Sequence, residues 1–152
     1  MKLMRKHIYN ILIALAGGLF GISILWVIFR SLEYLNLALS PFPPTPLGEF
    51  LFLLFVVSFV EEGTKFLLIK QNIGQHPYGG LMGFGFGTGE SFLKRPIGDF
   101  GFVPERRAGT ILLHTITAGI IAYFVKKNKS LLGLLIAIIL HTAFNLITPI
   151  ST

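Results

Sequence analysis

The sequence predicts an all-α protein: a polytopic membrane helix bundle of about five transmembrane helices. Of its 152 residues, 53% are hydrophobic and only 13% are charged, and the mean hydropathy is +0.72. A domain of this length leaves a large share of its surface exposed, so a core cannot cover that much apolar surface. The surplus is expected to face lipid, within a single integral membrane domain over residues 1–152.

Apolar runs separated by polar or proline-rich stretches define the predicted helices, because about 20 apolar residues cross a hydrocarbon layer of about 30 Å. The first run follows a basic leader, is longer than a signal-peptide core and lacks a small-residue cleavage site, so it is expected to stay uncleaved. Prolines between residues 41 and 46 end it before the second. The predicted helices cover residues 8–29, 49–69, 78–93, 108–125 and 131–147.

The charge pattern indicates lipid contact. The 13 Lys and Arg exceed the seven Asp and Glu, giving a net charge of +6, and they form short clusters between the apolar runs. Lipid head groups and membrane orientation explain such clusters, so we expect the lipid bilayer as partner and no nucleic acid. A cytoplasmic N-terminus places most clusters inside, with the loop 94–107 as the exception. The absence of cysteine excludes disulfides, thiolate metal sites and a cysteine nucleophile.

The third predicted helix is rich in glycine. Gly79, Gly83 and Gly87 share one face at four-residue spacing, a pattern that lets a neighbouring backbone approach closely. It predicts tight helix packing and offers a contact for an oligomer. Thr88 interrupts the glycine spacing of a dinucleotide-binding loop, so nucleotide binding is not expected.

Ionisable side chains lie inside the predicted helices. Each costs roughly 2.5–3.5 kcal/mol on membrane insertion unless it meets polar partners. They are Glu61, Glu62, Lys65, Glu90, His114 and His141. Because several such residues occur in four successive helices, we expect them to converge on one polar site between helices 2 and 5.

Four-residue spacing places polar side chains on common helix faces. The pairs with this spacing are Glu61 with Lys65, Phe86 with Glu90, and His141 with Asn145. Glu62 lies about 100° further round its helix and can meet another neighbour. Other interpretations remain: each histidine can serve helix packing, Lys65 can extend to the membrane surface, and Phe86 can be a packing residue.

The order of these residues resembles a known family. Residues 61–65 read E-E-x-x-K, residues 86–90 read F-x-x-x-E, His114 follows, and residues 141–145 read H-x-x-x-N. This succession resembles the PrsW family of intramembrane proteases, which is related to the CAAX-processing and bacteriocin-processing membrane endopeptidases. The resemblance covers residues 50–145, and its last motif ends in Asn145, as in the CAAX branch.

The resemblance implies hydrolysis of peptide bonds within or beside a prokaryotic cell membrane. It implies a membrane-anchored protein substrate, for example an anti-sigma-factor-like or other single-span protein.

The residues themselves suggest how hydrolysis would proceed. Glu61 would act as general base towards water, and Glu62 would orient it. His141 and Asn145 would donate hydrogen bonds to the developing oxyanion. The remaining predicted catalytic residues, which would position the water or relay the proton, are His114 and Glu90. Lys65 and Phe86 would support this site.

A metal-dependent version uses the same region. Glu62, Glu90, His114 and His141 are plausible Zn²⁺ ligands that would leave one position for water. The H-E-x-x-H signature of many zinc proteases does not occur in the chain. We favour the metal-free glutamate version, with Zn²⁺ as the alternative.

Two further functions fit the same buried residues. A proton- or cation-coupled transporter also uses intramembrane Glu and His, although paired repeats of broken helices are not evident here. A non-catalytic membrane scaffold or immunity-type protein would depend on the glycine-rich helix instead.

Overall fold

The computed structural model describes residues 2–34, 45, 47–48, 57–93 and 104–148. Regular structure in these residues consists of five α-helices, with no strand among them. They are α1 (Lys2–Tyr34), α2 (Phe59–Lys70), α3 (Gly79–Leu93), α4 (Pro104–Lys126) and α5 (Ser130–Ile147). The all-α class is therefore confirmed for this part of the chain.

Helix α1 differs most from its predicted bounds. It extends beyond 8–29 at both ends and has 33 residues, about 50 Å at 1.5 Å per residue. The basic leader is helical because Lys and Arg are good helix formers, although they are too polar to count in an apolar run. Helix α4 likewise starts before 108, at Pro104, since proline is compatible with a first helical turn.

Parts of two predicted features lie outside the described residues. They are residues 49–56 of the predicted second helix and residues 94–103 of the predicted basic loop. Ser58, immediately before α2, has helical backbone angles, with φ −66° and ψ −43°.

Three of the described helices are long and apolar enough to cross a membrane. They contain the spans Leu3–Ile28, Arg107–Lys126 and Ser130–Ile147. Large apolar side chains cover their outer faces, such as Phe20, which is 63% exposed, and Ile139, which is 56% exposed. Exposed apolar surface on this scale marks a surface that faces something other than water. The chain is a membrane protein on these grounds.

Glycines let α3 pack closely between α1 and α4. A Cβ atom on Gly83 would lie 2.0 Å from the carbonyl oxygen of His114, and one on Gly85 would lie 2.4 Å from the carbonyl oxygen of Leu15. Neither position has room for a side chain. The two glycine faces of α3 thus meet helices of the same chain, so an oligomer formed through α3 would have to use a different surface.

Helix α2 buries charged side chains and exposes apolar ones, the opposite of a helix in a soluble protein. Its buried residues include Glu61, Glu62 and Lys65, while Phe59 and Leu67 are 52% and 59% exposed. A helix that buries charge and exposes apolar groups is stable only if its buried side chains pair with one another and its outer face meets lipid.

An apolar layer lies between these buried polar residues and the end of the bundle where α1 begins. Its fully or almost fully buried members are Ala14, Ile69, Met82, Ala118, Ile121, Ala122 and Ala137. In each of α2 to α5, these residues lie on that side of the polar ones. The polar cluster is therefore separated from the basic end of the bundle.

Replacement of Gly83 tests the close packing of α3 on α4. We expect Gly83→Ala to destabilise the protein by at least about 2 kcal/mol, because the added methyl group meets backbone and the helices must separate. The measurement is unfolding in mixed micelles of increasing SDS content. Gly80→Ala is the matched control: its Cβ would find Thr115 at 3.6 Å, an ordinary contact, so we expect no loss of stability. Equal stability of the two variants would contradict the packing argument.

A buried site of carboxylates, histidines and one lysine

Glu62 lies at the centre of the polar cluster. Its Oε1 atom lies 2.5 Å from Lys65 Nζ, 2.6 Å from His141 Nδ1 and 3.3 Å from the Thr117 hydroxyl oxygen. All four side chains are buried. One carboxylate oxygen thus connects α2 with α4 and α5.

Lys65 extends the cluster to His114 on α4. Its Nζ atom lies 2.9 Å from His114 Nδ1 and donates to the Thr117 hydroxyl at 2.8 Å. The ammonium group also lies 5.2 Å from the centre of the Phe86 ring, within the range of a cation–π interaction. His114 contacts Glu90 Oε2 of α3 through its Nε2 atom. The network therefore connects four helices, α2 to α5.

Glu61 faces the same region at a longer distance. Its Oε2 atom lies 3.8 Å from His114 Nε2 and 3.7 Å from His141 Nε2, beyond direct hydrogen bonding. One donor atom from each of the three residues lies within 4.8 Å of the other two. Three atoms so spaced can all lie within about 2.8 Å of a common point, the hydrogen-bonding distance of one water molecule.

Several polar atoms around this cluster make no hydrogen bond to the described residues. They include Glu62 Oε2, Asn145 Nδ2, Thr142 Oγ1 and Ser58 Oγ, all of them buried atoms. Buried polar atoms in native proteins nearly always find a partner. These atoms are therefore the groups that can bind a polar ligand or solvent.

The structure brings most of the predicted site residues together. Glu61, Glu62, Lys65, His114 and His141 are buried within the network described above. Asn145 lies one helical turn beyond His141 on α5, and Phe86 packs against His114 with ring centres 5.0 Å apart.

Glu90 and Thr117 show what the sequence does not reveal. The late position of Glu90 in its helix suggests a location nearer the membrane surface, yet Glu90 contacts His114. Helices α3 and α4 are antiparallel, and the C-terminal end of α3 lies beside the middle of α4. Thr117 has no place in the predicted site, although it contacts both Lys65 and Glu62. Its position three residues after His114, on the same helical face, is the signal that could have identified it.

The cluster holds several buried ionisable groups. Among the described residues, the carboxylates of Glu61, Glu62 and Glu90 are buried near the ammonium of Lys65. Because buried charges are costly, hydrogen bonds between the carboxyl, imidazole and ammonium groups are needed to stabilise them.

A Zn²⁺ ion would need closer donor atoms than this arrangement provides. A tetrahedral zinc site with bonds of about 2.0–2.1 Å places its ligand atoms about 3.3 Å apart, closer than Glu61 Oε2 lies to either histidine. The Nδ1 atom of His114 faces the Lys65 ammonium, whereas a metal-bound histidine normally directs its second N–H to an acceptor.

The metal-compatible group also differs from the ligands expected from the sequence. It contains Glu61, His114 and His141, in place of a set built on Glu62 and Glu90. Glu62 Oε1 already contacts Lys65 and His141, and Glu90 contacts the histidine nitrogen that would bind the ion. In this arrangement, zinc binding at His114 Nε2 would require Glu90 to move from that atom.

Comparison of the chain with protein-family models, with curated proteins and with solved structures gives no significant match.

Removal of the lysine tests the central ion pair. We expect Lys65→Met to destabilise the protein by about 3–5 kcal/mol, because Glu62 would keep a buried charge without its cation. The double variant Lys65→Met/Glu62→Gln should regain at least about 1 kcal/mol of this loss. SDS unfolding of the four members of the cycle measures both quantities. Lys70→Met is the control, since Lys70 is exposed and its removal leaves no buried charge.

Proposed function

We propose that the chain is an intramembrane endopeptidase that hydrolyses membrane-associated protein substrates with a water molecule activated by Glu61. The observation that carries this proposal is the placement of the Glu61 carboxylate opposite two histidine Nε2 atoms, at 3.8 and 3.7 Å, in a buried site of a membrane protein. The succession of E-E-x-x-K, F-x-x-x-E and H-x-x-x-N motifs, with its resemblance to the PrsW family, supports the same reaction.

The reaction needs little beyond these groups. Water between Glu61, His114 and His141 loses a proton to the Glu61 carboxylate as its oxygen bonds to the peptide carbonyl carbon. The carbon–nitrogen bond then breaks, and the leaving nitrogen receives that proton from Glu61. The products are a carboxyl group and an amine, and Glu61 returns to its initial state. In this scheme the Glu61 carboxylate removes and returns the proton, and no metal takes part.

The oxyanion formed in the first step needs a hydrogen-bond donor. The Nδ2 atom of Asn145 is buried and makes no hydrogen bond to the described residues. An amide that is not engaged elsewhere can bind the oxyanion without first breaking another contact. This property supports Asn145 as that donor.

The charge distribution supports a cytoplasmic N-terminus. Exposed Arg5, Lys6, Lys126, Lys127 and Lys129 lie at the end of the bundle where α1 begins and α4 ends. None of the seven carboxylates occurs in these segments, and cytoplasmic loops carry such an excess of Lys and Arg. We place the chain in a prokaryotic cell membrane in this orientation, as the bundle of five spans predicted from the sequence. Single-span proteins, such as anti-sigma-factor-like ones, are the substrate class.

A proton-coupled transporter is the second candidate, and one observation favours it. Contacts run without a break from Glu90 through His114, Lys65 and Glu62 to His141. Such chains conduct protons in pumps and transporters. Proton uptake into proteoliposomes that is lost in Glu90→Gln would favour this function over proteolysis.

Substitution of Glu61 tests the protease. We expect Glu61→Gln to lower the cleavage rate by at least about 10²-fold, because the amide cannot accept the proton of water. The assay presents a panel of single-span reporter proteins to the purified chain in proteoliposomes, with and without a chelator, and identifies new termini by mass spectrometry. Cleavage by the wild type should persist with the chelator.

Histidine variants provide the matched comparison. His141→Gln should lose cleavage, whereas His76→Gln should retain it, because His76 is exposed at the basic end of the bundle. Wild-type protein that cleaves no reporter, or Glu61→Gln that cleaves normally, would contradict the proposal.

The role of Asn145 makes a separate prediction. Removal of one oxyanion donor costs about 10²–10³ in kcat, so Asn145→Ala should lower kcat by this factor with little change in KM. Asn10→Ala, on α1 and remote from the site, is the control. A changed KM with normal kcat would assign Asn145 to substrate binding instead.

A further inference from the structure

The hydrogen-bonding capacity of Lys65 restricts the protonation of the residues around it. An ammonium group has three N–H donors and no acceptor. Its three polar contacts, to Glu62 Oε1, His114 Nδ1 and Thr117 Oγ1, are all short, and Lys65 is fully buried. Each of these three atoms must therefore accept a hydrogen bond from Lys65.

This requirement determines the tautomer of His114. Its Nδ1 atom accepts from Lys65 and so carries no proton, and a neutral imidazole must then carry its proton on Nε2. The Nε2 atom contacts Glu90 Oε2, a carboxylate oxygen that can accept this N–H. Both contacts of His114 are satisfied in this tautomer. The opposite tautomer would direct an N–H of His114 at an N–H of Lys65.

His141 is placed in the opposite way. Its Nδ1 atom lies 2.6 Å from Glu62 Oε1, and that carboxylate oxygen can only accept. His141 must therefore carry its proton on Nδ1, and the lone pair of Nε2 is directed to the region of Glu61. The centres of the two imidazole rings lie 5.0 Å apart, and the ring planes are at an angle of 82°. The two rings therefore lie next to each other in nearly perpendicular orientations.

We propose that Lys65, through its direct contact with His114, is a positioning residue that holds this histidine in the tautomer opposite to that of His141, with His114 a donor and His141 an acceptor at Nε2. Beside them, a polar molecule meets the lone pair of His141 Nε2 and the Glu61 carboxylate, while the N–H of His114 is engaged by Glu90. The tautomers follow from the contacts alone, while their catalytic meaning rests on the proposed function. In that function, His141 accepts from the water and is not an oxyanion donor, which leaves this task to Asn145.

Nitrogen NMR of histidine tests the assignment directly. The chain has four histidines, and the variant His7→Gln/His76→Gln retains only the two buried ones. With ¹⁵N-histidine labelling in detergent micelles, we expect one ring with its proton on Nε2 and one with its proton on Nδ1. When His141→Gln is added to this variant, the signals of the ring with its proton on Nδ1 should disappear. Two rings in the same tautomer, or two doubly protonated rings at neutral pH, would overturn the proposal.

The lysine itself is tested by Lys65→Met in the same background. Because the Glu90 carboxylate also favours a proton on His114 Nε2, Lys65→Met is compared with Lys65 in the variant Glu90→Gln. There, loss of the ammonium donor should change His114 to a mixture of tautomers, while His141 keeps its proton on Nδ1 through Glu62. An unchanged His114 spectrum would overturn the role of Lys65. Should Lys65→Met not fold, Lys65→Arg retains a cationic donor, and the wild-type pattern should persist in it; a His114 that carries its proton on Nδ1 there would count against the proposal.

Metal content gives an independent measurement. A proton on His114 Nε2 blocks coordination at that atom, so purified wild-type protein should hold no stoichiometric Zn²⁺ that depends on His114. Stoichiometric Zn²⁺ that disappears in His114→Gln would overturn the proposal. The tautomer assignment and the proposed protease function can fail independently. If the two histidines have opposite tautomers in a protein that cleaves no reporter, the assignment is upheld and only the proposed role of the tautomers in catalysis is contradicted.

Discussion

A lysine–glutamate ion pair inside the bundle constrains the rest of the structure. Lys65 and Glu62 are both fully buried, in a helix whose other side exposes Phe59 and Leu67. Two charges in such surroundings are tolerated only when further hydrogen bonds complete their coordination. Thr117, His114 and His141 provide those bonds, so α4 and α5 must present polar residues to α2 at a single depth.

The glycines of α3 make that arrangement sterically feasible. Glu90 can reach His114 only if α3 and α4 are nearly in backbone contact, and Gly83 meets the carbonyl oxygen of the same histidine. A bulkier residue there would separate the two helices and withdraw the carboxylate from the imidazole. The composition of α3 thus serves the site, because helix association in a membrane depends on close packing more than on apolar burial.

The sequence predicts the class of this protein and most of its site for one physical reason. Charged residues in lipid are costly, so Glu61, Glu62 and Lys65 within an apolar run already imply polar partners. Which partners they meet depends on the relative directions of the helices and on their shifts along one another. The periodicity of residues within a single helix gives no information on either. The depth of Glu90 and the participation of Thr117 therefore required the structure. The ends of α1 are set by the helix propensity of its polar residues. Hydropathy detects only apolar residues, so the predicted range 8–29 is shorter than the helix at both ends.

The buried lysine also bears on the choice between a glutamate and a metal mechanism. A divalent ion and an ammonium group would serve the same purpose here, since each supplies positive charge to a set of carboxylates and imidazoles. Lys65 reaches the centre of that set with Glu62 Oε1 at 2.5 Å, and a second cation beside it would meet direct repulsion at short range in a medium of low dielectric constant. In the proposed protease, the lysine would neutralise charge without binding the reactive water, and the proton of that water would pass to Glu61. A site that contains its own cation in this way supports the proposed activation of water by a carboxylate.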